Sequence, residues 1–186
     1  MAGGFGTRLR PLTCNIPKPM VPVVNRPIME HILRLLRSHN LTEIVVTLFY
    51  HPEAIIDYFG NGSRFGVRLQ YVKAEADYGT AGGVRNAAGL IGERFLIISG
   101  DVLTDFNLTK AIAFHEQRQA MVTIVLYHSQ NPLQYGVVIT RDDGKIIRFV
   151  EKPTWGEVFS DTINTGIYII EPEILDLVPR ETEFDF

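Results

Sequence analysis

The feature that most restricts what this chain can fold into is an alternation, from residue 28 to residue 126, of two apolar patterns with different periods. Ile28, Ile32, Leu35 and Leu36 recur at helical spacing up to Arg37, and Ile44-Val45-Val46-Thr47-Leu48-Phe49 follows as a short, continuous, largely β-branched or aromatic run. Such a run suits a strand covered on both faces, because a solvated face would demand a polar residue at every second position. The alternation continues. His51-Pro52 opens a helix to Phe59, Val67 to Val72 alternates as a strand, and Thr80 to Leu90 reads as a small-residue helix. Phe95-Leu96-Ile97-Ile98 predicts another buried strand, Leu108 to Arg118 a helix, and Met121 to Leu126 a strand. Strands and helices taken in turn predict an α/β fold with a mainly parallel sheet and flanking helices.

The pattern changes after residue 130. Tyr135 to Thr140 and Lys145 to Val150 flank Arg141-Asp142-Asp143-Gly144, whose Asp-Gly pair suits a hairpin turn. Ile163 to Ile170 adds a strand, and Pro172 stands at the favoured first position of a helix. The chain divides accordingly into residues 1–130 and 131–186, the second part extending the sheet over the open end of the first.

Composition excludes several classes. With 46% hydrophobic and 21% charged residues the 186-residue chain has the balance of a globular protein. It holds no apolar run of about 18 residues and no apolar segment behind a basic start, so neither a membrane span nor a secretory leader is expected. One cysteine, Cys14, forms no internal disulfide, which fits the cytoplasm. A net charge of −3 argues against binding nucleic acid through overall charge. Residues 1–29 nevertheless carry +4 and the remaining 157 carry −7. A basic, glycine- and proline-rich opening on an acidic body points to a local anion site.

That site has a candidate in Gly3-Gly4-Phe5-Gly6-Thr7-Arg8-Leu9-Arg10-Pro11-Leu12-Thr13, followed by Pro17-Lys18-Pro19-Met20. Closely spaced glycines let backbone N–H groups approach a ligand, and Arg8 and Lys18 supply a planar donor fork and a compact charge for phosphate oxygens. Neither common phosphate loop is present: Leu9 stands where the Rossmann pattern needs a third glycine, and no Walker-type lysine loop occurs. A surface loop with incidental bases is the competing reading. Asp101 ends the apolar strand 95–100, where ligands of open α/β sheets collect and where a carboxylate beside phosphates suits Mg²⁺; a helix cap is the alternative. Glu151-Lys152 lies at another strand end, as a phosphate-binding or simply solvated pair. Asn164 and Thr165 are polar within an apolar run, facing a ligand or a sheet edge.

These segments together strongly resemble the sugar-1-phosphate nucleotidyltransferases. The resemblance rests on the opening motif and on Gly79-Thr80-Ala81-Gly82, Ser99-Gly100-Asp101, Tyr135-Gly136-Val137, Glu151-Lys152-Pro153 and Asn164-Thr165-Gly166 in the family's order. It implies a Rossmann-like nucleotide-diphospho-sugar transferase fold with its first strand missing, because Met1 stands almost against Gly3. It also implies residue roles. Arg8, Lys18 and Asp101 would be catalytic, with Asp101 holding Mg²⁺ and a second metal-binding aspartate lying beyond residue 186. Gly3, Gly4, Gly6, Thr7, Arg8, Gly79, Thr80 and Gly82 would bind the nucleotide, and Gly136, Glu151, Lys152, Asn164 and Thr165 the sugar phosphate.

The expected reaction is nucleotidyl transfer from a nucleoside triphosphate to a hexose 1-phosphate, with GTP and mannose 1-phosphate favoured. Thymidylyl, uridylyl or adenylyl transfer to glucose 1-phosphate is the alternative, as is a non-catalytic regulatory subunit that binds nucleotide sugars. The resemblance further implies a homo-oligomer for the full-length protein, and residues 1–186 alone are expected to be poorly soluble or inactive.

Overall fold

The computed structural model describes residues 1–3 and 6–186, and of Arg8 the backbone. Two short strands, β1 (Pro22–Val23) and β2 (Arg26–Pro27), pair antiparallel and lead into α1 (Ile28–Ser38). Helix α1 buries Ile28, Met29, Ile32, Leu33 and Leu36 along one stripe, as the spacing predicts. Glu30 is also buried there, compensated by Arg34 at 2.9 Å, Arg26 at 3.5 Å and the Tyr58 hydroxyl at 3.0 Å. β3 (Glu43–Leu48), α2 (Pro52–Phe59) and β4 (Arg68–Lys73) form a parallel unit, paired from Glu43 with Arg68 to Leu48 with Lys73. Leu33, Leu48, Ile55 and Phe59 meet between its layers, each side chain contributing roughly 1.5–3 kcal/mol by burial.

The chain continues through α3 (Gly79–Asn86), β5 (Phe95–Ile98), α4 (Leu108–Arg118) and β6 (Val122–His128). The hairpin of β7 (Gly136–Thr140) and β8 (Ile146–Glu151) turns at Gly144, whose φ of 84° suits glycine. β9 (Thr162–Ile170) follows, and Pro172 then begins a 3-10 helix, Pro172–Leu177, tighter than the α-helix a Pro start suggests. Five strands make one sheet in the order β5-β9-β7-β8, with β6 also paired to β9 and every pair antiparallel. No helix among the described residues is long and apolar enough to cross a membrane.

The two strand systems meet through Met1 and Ala2. The Met1 amine donates to the Ile98 carbonyl at 2.9 Å, the Gly100 N–H donates to the Met1 carbonyl at 2.5 Å, and the Ala2 N–H donates to the Thr47 carbonyl at 3.0 Å. Bonds from one residue to positions 98 and 100 are the mark of parallel pairing, so this bridge runs in the same direction as β5. Gly100 permits it: a Cβ there would stand 2.8 Å from the Met1 carbonyl oxygen. Behind the bridge, the facing edges of β3 and β5 border a cavity of about 740 Å³ lined by Met29, Leu33, Val46, Leu96 and Ile97. Met1-Ala2 thus joins the ends of β3 and β5, with the apolar cavity behind it. Burial lowers the Met1 amine pKa to about 6, partly opposed by the negative charge of Asp101.

Candidate active site

The site begins with the loop that carries Lys18. Gly6 has φ 62°, and its carbonyl accepts from the Leu9 N–H at 2.9 Å and from the buried Thr13 hydroxyl at 2.7 Å. A Cβ at Gly6 would lie 3.0 Å from Thr13 Cγ2 and 3.2 Å from Lys18 Cβ, so backbone conformation and packing both demand glycine. Buried Pro17 and Pro19 flank Lys18 and hold it in a 3-10 turn, Lys18–Met20. From there its ammonium group forms an ion pair with Asp101, which follows the end of β5. The two side chains keep 35% and 30% of their exposure and line a cavity of about 310 Å³ together with Gly3, Gly79 and Thr80.

The N-terminus of α3 forms the opposite wall. The Thr80 N–H and hydroxyl both donate to Asp185 Oδ1 at 2.7 Å, and the Ala81 and Gly82 N–H groups donate to the Phe184 carbonyl at 2.9 and 3.1 Å. A Cβ on Gly79 would stand 2.8 Å from that carbonyl, and one on Gly82 would stand 2.7 Å from the Thr182 carbonyl. The small residues of this segment thus admit residues 182–185 of the same chain. Gly79 and Thr80 also reach the cavity; Gly82 is buried and does not.

A second group gathers on β7, β8 and β9. Gly136 pairs with Glu151 across the hairpin, where a Cβ would stand 2.7 Å from Glu151 Oε2 and 2.6 Å from Phe149 Cζ. Lys152 has φ 43°, donates its N–H to Tyr135, and places Nζ 3.3 Å from Glu151 Oε1, with both side chains 55% exposed. Asn164 receives the Gly166 N–H at 3.0 Å and donates to the Tyr168 hydroxyl at 2.7 Å, while the Thr165 hydroxyl donates to the Val125 carbonyl at 2.6 Å. None of Gly136, Glu151, Lys152, Asn164 and Thr165 lines the 310 Å³ cavity. The two groups adjoin through Ser99, which lines the cavity and receives Gly166 against its side chain.

Of the remaining expected residues, Gly4 and the Arg8 side chain lie outside the described residues, and Thr7 is exposed at the head of a 3-10 turn, Thr7–Leu9. Among the described residues no group of three His, Cys, Asp or Glu side chains could hold a metal ion. Asp101 alone still fits Mg²⁺, which keeps several waters and typically takes one or two carboxylates together with substrate phosphates. Tyr168 and Asp185 were not legible as site residues, since one lies in an apolar run and the other in the last three positions. Gly166 in the middle of that run is the available signal, because glycine inside a strand often marks a bulge.

The chain is similar to known proteins along nearly its whole length. The family described as Nucleotidyl transferase matches residues 1–183. The UTP--glucose-1-phosphate uridylyltransferase of Synechocystis sp. is 41% identical, covering all of this chain and 51% of that protein. The mannose-1-phosphate guanylyltransferase of Mycobacterium tuberculosis is 34% identical over 98% of this chain and 51% of that protein. The chain thus spans about half the length of these relatives. The crystal structure of HddC from Yersinia pseudotuberculosis complexed with GMP-PN superposes with a TM-score of 0.82 at 26% identity, covering all of this chain and 80% of the other. The chain belongs to the nucleotidyl transferase family, and within it to the sugar-1-phosphate nucleotidyltransferases.

Proposed function

We propose that the protein transfers a guanylyl group from GTP to mannose 1-phosphate, giving GDP-mannose and pyrophosphate. The observation that carries this reading is the Lys18–Asp101 pair on the wall of a 310 Å³ cavity at the carboxyl end of β5. A phosphate oxygen of the sugar attacks the α-phosphorus, the α–β bridging bond breaks, and pyrophosphate leaves. The attacking group is already anionic, so no protein nucleophile is needed and the enzyme contributes position and charge. Gly3, Gly4, Gly6, Thr7, Gly79, Thr80 and Gly82 shape the nucleotide site in residues 1–130. Lys18 and Arg8 offset charge on the triphosphate. Gly136, Glu151, Lys152, Asn164 and Thr165 bind the sugar phosphate in residues 131–186. Asp101 would hold Mg²⁺, which supplies neutralisation of phosphate charge when bound. The full-length protein acts in the cytoplasm as a homo-oligomer.

Guanine and mannose are favoured by the M. tuberculosis relative and by the guanine-nucleotide complex of HddC. The Synechocystis relative, at 41% identity, favours a second reading in which UTP and glucose 1-phosphate are the substrates. Pyrophosphate release measured with GTP, UTP, dTTP and ATP, each against mannose 1-phosphate and glucose 1-phosphate, separates them. Sugar-dependent release with GTP and mannose 1-phosphate is expected. Preference for UTP and glucose 1-phosphate selects the second reading, and release with no pair leaves a binding or regulatory protein.

A further inference from the structure

The departure of β9 from regular strand geometry has a chemical use. Opposite the step from Ile124 to Leu126 on β6, β9 runs from Tyr168 to Asn164, so one intervening residue of β6 faces three of β9 and β9 carries a bulge. Gly166 sits at its centre with φ 75°. The bulge is held on both sides: the Thr165 hydroxyl donates to the Val125 carbonyl at 2.6 Å, and the Ser99 N–H donates to the Gly166 carbonyl at 3.3 Å. In a straight strand Cα atoms four residues apart are separated by roughly 13 Å. Here the Asn164 Nδ2 and the Tyr168 hydroxyl oxygen are 2.7 Å apart.

The same contacts fix how the Asn164 carboxamide is turned. Its Oδ1 accepts from the Gly166 N–H and its Nδ2 gives one hydrogen to Tyr168. One Nδ2 hydrogen and one Oδ1 lone pair remain for a ligand. Tyr168 is a rigid post for this purpose. It is 5% exposed, packs in the core with Val84, Ile97, Ile170 and Leu175, and lies with its ring centroid 4.9 Å from that of Phe186. Having accepted from Asn164, its hydroxyl keeps a hydrogen that has no acceptor among the described residues. Burial raises its pKa, opposed by the hydrogen bond from Asn164 and aided by the weaker influence of the Glu151 and Asp185 charges, so that hydrogen stays in place at neutral pH.

We propose that Tyr168 is a positioning residue for the hexose 1-phosphate, its core-anchored hydroxyl holding the Asn164 carboxamide in one orientation at the β9 bulge. The proposal rests on the reading of Asn164 as a sugar contact. Its test is a double-mutant cycle of Tyr168→Phe and Asn164→Ala in the protein, with binding of mannose 1-phosphate and glucose 1-phosphate measured by calorimetry beside the kinetics. Tyr168→Phe keeps the buried ring and is expected to raise KM and Kd for the sugar phosphate roughly fivefold, the worth of one neutral hydrogen bond. kcat, the nucleotide KM and the melting temperature stay near their original values. The double variant is expected to bind no worse than Asn164→Ala alone, because the hydroxyl acts only through the amide. Additive losses, or a Tyr168→Phe variant that binds sugar phosphate normally while Asn164→Ala does not, would overturn the positioning role. Normal sugar-phosphate binding by Asn164→Ala overturns instead the contact reading beneath it.

Discussion

The Lys18–Asp101 and Lys152–Glu151 pairs both stand at strand ends, and they are built differently. Lys18 and Asp101 lie 83 positions apart, and Gly6, two buried prolines and the end of β5 bring them together with about one third of each side chain exposed. Glu151 and Lys152 are neighbours in sequence, and each is 55% exposed. The first pair is imposed by the fold and bound into the wall of a cavity, where a partly dry setting strengthens whatever charge interaction a ligand offers. The second is a solvated pair with freedom to rearrange around an arriving phosphate. Under the proposed function the first pair would serve chemistry and the second recruitment, and each role can be broken by experiment.

Replacing Lys18 carries the largest expected effect. Lys18→Met removes a charge that matters most as the α–β bond breaks, so kcat should fall about 10²–10³-fold while nucleotide KM moves only a few-fold. A loss confined to KM would place Lys18 with the recruiting pair and erase the distinction.

Lys152 has the next effect. Its removal as Lys152→Ala should raise KM for the hexose 1-phosphate about tenfold, with kcat nearly kept, since the charge acts in binding and not on the leaving pyrophosphate. Added salt should weaken sugar-phosphate binding in the unmodified protein and matter less in the variant. Equal salt dependence would show that Lys152 does not meet the phosphate.

What the amino-acid sequence discloses follows the range of the interactions involved. Helices α1 and α4 and strand β5 are legible within a residue or two because their apolar periodicity is local. The turns at Gly6 and around Lys18 are legible because glycine and proline carry their backbone meaning with them. The pairing of Lys18 with Asp101 is not a local property; it follows from the topology that joins positions 83 residues apart. Gly79 and Gly82 are ambiguous for the same reason, since smallness serves a nucleotide or a crossing chain equally, and residues 182–185 make close approaches at both. Thr165 reads as a ligand contact, yet its hydroxyl is already given to Val125. Tyr168 is hidden because apolar patterning counts its ring and ignores its hydroxyl.

The smallest expected effect is on stability, and it tests the contrast most directly. Exposed ion pairs contribute about 0–1 kcal/mol because water solvates both partners and holding two long side chains together costs entropy. The double variant Glu151→Gln, Lys152→Gln should therefore melt within about 0.5 kcal/mol of the original protein, although its sugar-phosphate KM rises. Asp101→Asn alone should cost more, since it leaves the Lys18 ammonium partly buried between two buried prolines without its counter-charge. Chemical unfolding of the two variants side by side reads the difference. If removing Glu151 and Lys152 destabilises the protein as much as removing Asp101 does, the second pair is also fixed by the fold, and its freedom to receive a phosphate is lost as an explanation.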